Sequence, residues 1–219
     1  MKYFDTLPSI ITTDYNNNLI LLKNLLARAV LLPQVQNNPL VLYTYAVQDG
    51  DTPETVAYKY YGSVDRYWIV LHGNQSLDPQ WDWPLTSQQF QKYIIKKYKQ
   101  DTANSLSISV NSTNDSQVLS YTLGTVHHYE KTITTRDNVT QTQGVKTITI
   151  DETTYNSTTT SDRTVTFSDG STSIQSTTKD VVSIYNHENN LNEAKRNIKL
   201  INSSFAGSLE LQLKSLMGR

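Results

Sequence analysis

Between positions 101 and 183 serine and threonine fill 34 of 83 places. That density excludes one long helix through the segment. Threonine loses rotamer freedom against the preceding helical turn, and serine competes for helical backbone hydrogen bonds. Short alternating runs at 106–110, 118–123, 145–150 and 164–174 instead predict strands. Asp169-Gly170, set between Val165/Phe167 and Ile174, predicts a hairpin turn. A disordered polar linker is the competing reading, because apolar residues are sparse. The alternation points to a polar β insertion over 101–183.

The flanking segments obey different rules. Aromatic residues crowd into the first half, and all three tryptophans lie between Trp68 and Trp83. Within 41–100, residues 41–47 predict a strand and Asp49-Gly50-Asp51 a turn. Thr52 is placed to cap a helix with Pro53 at its first position, where the missing N–H costs nothing. Val56, Ala57, Tyr60 and Tyr61 give that helix an apolar face, and Gly62 stops it. A second helix begins near Asp65, with Tyr67, Trp68, Val70 and Leu71 inward, and Asn74 closes the unit. The expected sheet pairs 43–47 with the chain just after Asn74, and 77–85 wraps around it. A trailing helix starts at Thr86 or Ser87 and carries Phe90, Tyr93, Ile94 and Tyr98.

Residues 1–40 predict an arm and a docking helix over 14–32. Thr12, Thr13 or Asp14 supplies its cap. Leu19, Leu22, Leu26 and Val30 share one face, widened by Ile20, Leu21 and Leu25. Pro33 and Pro39 end it. Lys23 and Arg28 interrupt the apolar run, which is shorter than the ~20 residues of a bilayer span, so no membrane segment is predicted. Residues 184–219 predict two C-terminal docking helices. Leu191, Ala194, Ile198 and Ile201 line one, opposite Lys195 and Lys199. After a break at Asn202-Ser203-Ser204, Phe205, Leu209, Leu213 and Leu216 line the other, with Glu210 and Lys214 paired. On this reading, 184–219 is removable without unfolding 41–100. The candidate interface residues are Leu22, Leu26, Trp81, Trp83, Leu191, Lys195, Arg196, Ile198, Phe205, Leu209 and Leu213.

Little in the sequence suggests chemistry. There is no cysteine, hence no disulfide or thiolate site. A net charge of −1 argues against a nucleic-acid binder. The opening MKYFDTLPSI lacks the pattern of a secretory signal. Glu54, Asp65, Asp78 and Asp82 lie near the aromatic cluster, but at turns and helix starts where caps belong. A glycosidase would need two carboxylates set ~5–10 Å apart across a cleft. Lys92, Lys96, Lys97 and Lys99 read as a solvated helix face. His127-His128 with Glu130 invites a metal reading, but adjacent strand residues point to opposite faces, so a polar strand surface is expected. No catalytic group, cofactor or metal is predicted.

One stretch resembles a LysM domain, a small β-α-α-β fold. The matching residues are Tyr45-Ala46-Val47, Gly50-Asp51-Thr52, Val56-Ala57, Tyr60-Tyr61-Gly62, Trp68 and Asn74. The flanks narrow the resemblance. Tyr61-Gly62-Ser63, Tyr67-Trp68-Ile69-Val70, Leu77-Asp78-Pro79 and Trp83-Pro84-Leu85 are similar to the gene product 53 family, baseplate wedge subunits of contractile-tailed bacteriophages. So are Asn24-Leu25-Leu26-Ala27-Arg28 and the run from Leu191-Asn192-Glu193 through Ile201. The Ser/Thr-rich segment aligns with no clear counterpart in that family beyond an echo in His127-His128-Tyr129-Glu130.

The resemblance implies an α+β protein: a LysM-like unit with flanking N- and C-terminal helices and a Ser/Thr-rich β insertion. It implies a non-enzymatic part of the virion tail baseplate, assembled in the host cytoplasm in multiple symmetric copies. Its partners would be other wedge and hub-proximal tail proteins. The alternative is a peptidoglycan-binding LysM module of a cell-wall-associated protein.

Overall fold

The computed structural model describes residues 3–27, 29, 30, 38, 40–76, 78–168 and 170–217. In chain order the strands and helices are β1 (Ser9–Thr13), β2 (Leu19–Lys23), β3 (Leu42–Ala46), α1 (Pro53–Tyr61), α2 (Tyr67–Gly73), α3 (Pro79–Asp82) and α4 (Ser87–Leu106). There follow α5 (Asp115–Gly124), β4 (Val126–Asp137), β5 (Gln143–Ile150), α6 (Glu152–Ser157), β6 (Ser161–Thr166), β7 (Thr172–Ser183), α7 (Ile184–Ala194), β8 (Asn197–Ile201) and α8 (Ala206–Met217). The protein is α+β. It divides into two compact units, Met1–Ser87 with Asn192–Arg219, and Gln88–Leu191. Arg28, Pro33, Pro39, Leu77 and Asp169 lie outside the described residues.

In the first unit, β3 and β8 form a two-stranded antiparallel sheet with Tyr43 opposite Leu200 and Tyr45 opposite Ile198. Between them in sequence come α1 and α2. The local chemistry of α1 follows the sequence. Thr52 and Thr55 form a reciprocal capping box, Pro53 stands at the first turn, and Gly62 ends the helix at φ 70°. Leu7, Val47, Val56, Ala57, Tyr61, Trp68, Ile69, Val70, Ile198, Leu200, Ile201, Ala206, Leu213 and Met217 make one core cluster. Gly73 sits against β8, where an added Cβ would meet the Lys199 carbonyl at 3.4 Å.

The partner of β3 corrects the sequence reading. The closing strand is 197–201, not the chain after Asn74, and the predicted helix through Leu191–Ile201 ends at Ala194. The run Asn197-Ile198-Lys199-Leu200-Ile201 satisfies a helical stripe and a period of two alike. The edge of β3 decides between them, since strand pairing satisfies the backbone groups of both runs along one register that a helix at 197–201 would leave unpaired on β3. Asn74 reinforces the choice. Its Nδ2 donates to the carbonyls of Val70 and Lys199, each at 2.8 Å, and its Oδ1 accepts from Lys199 N–H at 2.7 Å. The expectation that 184–219 could be removed from a folded unit is therefore overturned. Glu210 also departs from its predicted partner Lys214, taking the Arg66 guanidinium at 2.9 Å.

The predicted helix over 14–32 is instead a hairpin of β1 and β2, with Ile11 opposite Leu21 and Thr13 opposite Leu19. Its turn explains why. The Asp14 carboxylate accepts from the N–H groups of Asn16 and Asn18 at 2.8 and 2.9 Å, and Asn17 adopts φ 60°. Asp14 thus organises a turn instead of capping a helix.

The second unit holds a four-stranded antiparallel sheet in the order β5-β4-β7-β6. Threonine builds strands where large apolar groups are missing, because its branched Cβ suits a pleated surface. Thr132 and Thr147 form a cross-strand hydroxyl pair at 3.0 Å. The expected strands at 145–150 and 164–174 are present, the latter as β6, a turn and the start of β7, with Gly170 at φ 83°. Two others are not strands. Residues 118–123 lie in α5, whose Asn114 and Gln117 make a capping box, and 106–110 run from the last residue of α4 into a short 3-10 turn at Val110–Ser112. α4 itself continues to Leu106, past the expected boundary at 101. Glu188 ties this unit's two helical ends together. It accepts from Lys97 Nζ at 2.7 Å, Tyr98 Oη at 2.6 Å and Tyr93 Oη at 3.1 Å.

Candidate interaction surface

The residues of the predicted motif form the inner frame of the first unit. Asp51 is its hub. One carboxylate oxygen accepts from Tyr45 Oη at 2.8 Å and from Gln48 N–H at 3.1 Å, and the other meets Lys59 Nζ at 2.6 Å. Burial pushes the Asp51 carboxyl up, but the hydrogen bonds from Lys59 and Tyr45 outweigh it and hold the group below its ordinary range. Gly50, at φ 88°, permits the turn into Thr52. Val47, Ala57, Tyr61 and Trp68 are buried, and Tyr60 stacks on Tyr43 at 5.7 Å. Tyr61 Oη donates to the Ile201 carbonyl at 2.8 Å, and burial drives its phenol well above the usual range.

The candidate interface residues fall into two groups. Ile198 and Leu213 are spent in the unit's own core, and Leu209 packs against it. Trp83 is half-buried, donating its indole N–H to the Asp51 carbonyl at 2.8 Å. Lys195 and Arg196 are half-buried and engaged within the unit: Lys195 Nζ reaches the Trp81 carbonyl at 2.6 Å, and Arg196 bonds both oxygens of Glu193 at 2.8 Å. Leu22, Leu26, Trp81, Leu191 and Phe205 remain exposed.

A run of exposed apolar residues lies on a hairpin that helical spacing could not group. Alternation along the hairpin places Ile10, Ile20 and Leu22 on one face and Ile11, Leu19 and Leu21 on the other. The second face is the more open, with Ile11, Leu19 and Leu21 exposed by 73, 75 and 68 %. Leu25, Leu26 and Val30 follow it, also exposed. Lys23 Nζ tethers the hairpin by donating to the carbonyls of Asp5 and Leu7, at 3.1 and 3.0 Å, beside the core residue Leu7. An isolated two-stranded hairpin is marginal in water and needs a third surface against its apolar face. The signal that would have found it is the Asp14–Asn18 turn, whose Asx chemistry converts a helical-looking leucine run into strands.

A family model described as base plate wedge protein 53 matches residues 34–209. Baseplate wedge protein gp53 of Enterobacteria phage T4 is 28 % identical over 74 residues, which cover 34 % of this chain and 38 % of that relative. The chain thus matches well under half the length of that curated relative. Among the described residues, no helix is long and apolar enough to cross a membrane.

Proposed function

Since this chain belongs to the base plate wedge protein 53 family, with a structural role in the phage tail baseplate, we propose that it works as a connector, joining neighbouring subunits through buried surface and no catalytic group. The observation that carries this reading is the hairpin face of Ile11, Leu19 and Leu21. Covering those three side chains fully is worth about 5–9 kcal/mol before the costs of ordering and association. The partners are other baseplate proteins, and many symmetric copies of the chain take part during assembly of a contractile tail in the host cytoplasm.

The order β3, α1, α2 and then, after the one-turn α3 and residues 88–191, the closing β8 supports reading the first unit as LysM-like with an insertion before its last strand. Its aromatic residues serve the fold: Trp68 is core and the Trp83 indole is held by Asp51. We therefore read the unit as a scaffold, not a glycan receptor. A pull-down on insoluble peptidoglycan tests that point, and retention of the purified chain would favour the cell-wall alternative.

The connector reading is tested by complementation. A chain carrying Leu19→Asp and Leu21→Asp is supplied to infected cells that lack the wild-type product. The purified variant keeps its fold by circular dichroism, and infectious tails do not form. Wild-type yields of infectious tails would overturn the connector role of the hairpin.

A further inference from the structure

The two neighbouring histidines of β4 do not point to opposite faces. The register of β4 against β7 shifts between Val126 and His128, where β4 carries an extra residue. Such a bulge breaks the alternation and re-aims a side chain. Here it turns His127 and His128 towards each other, with their Nδ1 atoms 2.8 Å apart. His187, from the first turns of α7, completes the group. Its ring lies flat on His127, with centroids 3.9 Å apart and planes within 8°, and edge-on to His128 at 5.5 Å.

We propose that His127, His128 and His187 form a binding site for a divalent transition-metal ion of the zinc type. One ring nitrogen from each lies within 4.8 Å of the others. Two imidazole nitrogens bound to zinc at ~2.0–2.1 Å in tetrahedral geometry stand roughly 3.3 Å apart, so binding requires His127 and His187 to unstack and the His127–His128 hydrogen bond to open, bringing the three nitrogens round one ion. Imidazole ligands suit zinc, copper and nickel, and three of them leave a fourth position for water; His127 is exposed, so an ion can reach the group from solvent.

The surroundings support the assignment. His128 Nε2 is 3.0 Å from Glu130 Oε1, an arrangement that fixes the ring and leaves Nδ1 as the ligand atom. The backbone beneath is registered as well: Val126 pairs with Ser183, and Ile184 N–H donates to the Thr125 carbonyl at 3.0 Å. Glu188 is not a ligand, because Lys97, Tyr93 and Tyr98 occupy its oxygens. A bound ion would pin the start of α7 to the start of β4. The competing state is a plain histidine–histidine hydrogen bond with stacked rings.

The experiment uses the untagged full chain, freed of metal by chelation and dialysed. Zinc sulfate is titrated by calorimetry at neutral pH, with magnesium as the control. We expect one zinc per chain and no magnesium binding. His127→Ala, His128→Ala and His187→Ala should each weaken zinc at least ~100-fold, and Glu130→Gln about 10-fold. Zinc should also shield three of the chain's four histidines from diethylpyrocarbonate, leaving His72 as reactive as before. This second readout needs no variant. Failure to bind zinc, unchanged affinity in the three alanine variants, or equal modification of all four histidines with and without zinc would each overturn the site.

Discussion

Leu200→Ala separates the two structures that the C-terminal sequence allows. In a helix lined by Leu191, Ala194, Ile198 and Ile201, Leu200 would stand off the stripe beside Lys199, and truncating it would cost little. In β8 it lies opposite Tyr43 and is fully buried. Deleting most of a fully buried leucine costs about 2–5 kcal/mol, through lost transfer free energy and the cavity left behind. A urea slope of ~2 kcal/mol/M, mid-range for a unit of this size, turns that into a midpoint lowered by about 1–2.5 M. All three tryptophans, Trp68, Trp81 and Trp83, belong to the first unit, so fluorescence in urea reports on it alone. Lys199→Ala, on the exposed side of the same strand, is the control and should stay within ~0.5 kcal/mol of wild type. Indistinguishable midpoints for the two variants would refute the strand. Ile198 is inward in both structures and would decide nothing.

Three further outcomes are expected. Thr52→Ala removes half of the capping box of α1 and should lower the stability of the first unit by about 1 kcal/mol, measured in the same urea titration. Glu188 is pushed up by burial but held below its ordinary range overall by Lys97 and Tyr98, so its folded pKa lies under its unfolded one. Its contribution is then full above about pH 4.5 and is lost as pH falls through the folded value. Circular dichroism of an acid titration should show a transition that Glu188→Gln flattens, and an unchanged profile would contradict the assignment. Finally, a chain ending at Leu191 loses β8 and the core side chains of α8, and should show the red-shifted tryptophan emission of an unfolded first unit; native emission would contradict the sheet.

The parts legible in the sequence are those decided within a few residues. Gly50, Thr52, Pro53 and Gly62 set the turn, cap and stop of α1 through backbone chemistry that needs no distant partner. Trp68 and Val70 could be placed in the core, and the start of α4 was readable from Ser87. What stayed hidden depends on tertiary pairing. The run 197–201 fits either period, and only the open edge of β3 selects the strand. The leucines of 19–26 look helical until Asp14 is seen to fold the backbone of Asn16 and Asn18 around itself. Of the candidate interface residues, Leu22 and Leu26 are exposed while Ile198 and Leu213 are buried in their own unit, because an apolar stripe does not say whether its own domain or a neighbour will cover it. The histidine cluster was hidden by a single extra residue in β4, which no alternation rule anticipates.

The separation of β3 from β8 also sets an order of events on the ribosome. Tyr61 and its acceptor Ile201 are 140 residues apart, so the first unit cannot close until Ile201 has emerged. The second unit, Gln88–Leu191, is complete earlier, and folding of domains as they leave the ribosome proceeds in that order. Its own ends are stapled by the Phe90–Tyr185 ring contact at 5.5 Å and by Glu188. Once folded, it shortens the loop that the first unit must close from on the order of 120 residues to about 20, a saving of roughly 1.5 kcal/mol in closure entropy. The insertion thus serves as a folding clamp for the domain it interrupts, and slowing its formation should delay the appearance of the β3–β8 sheet.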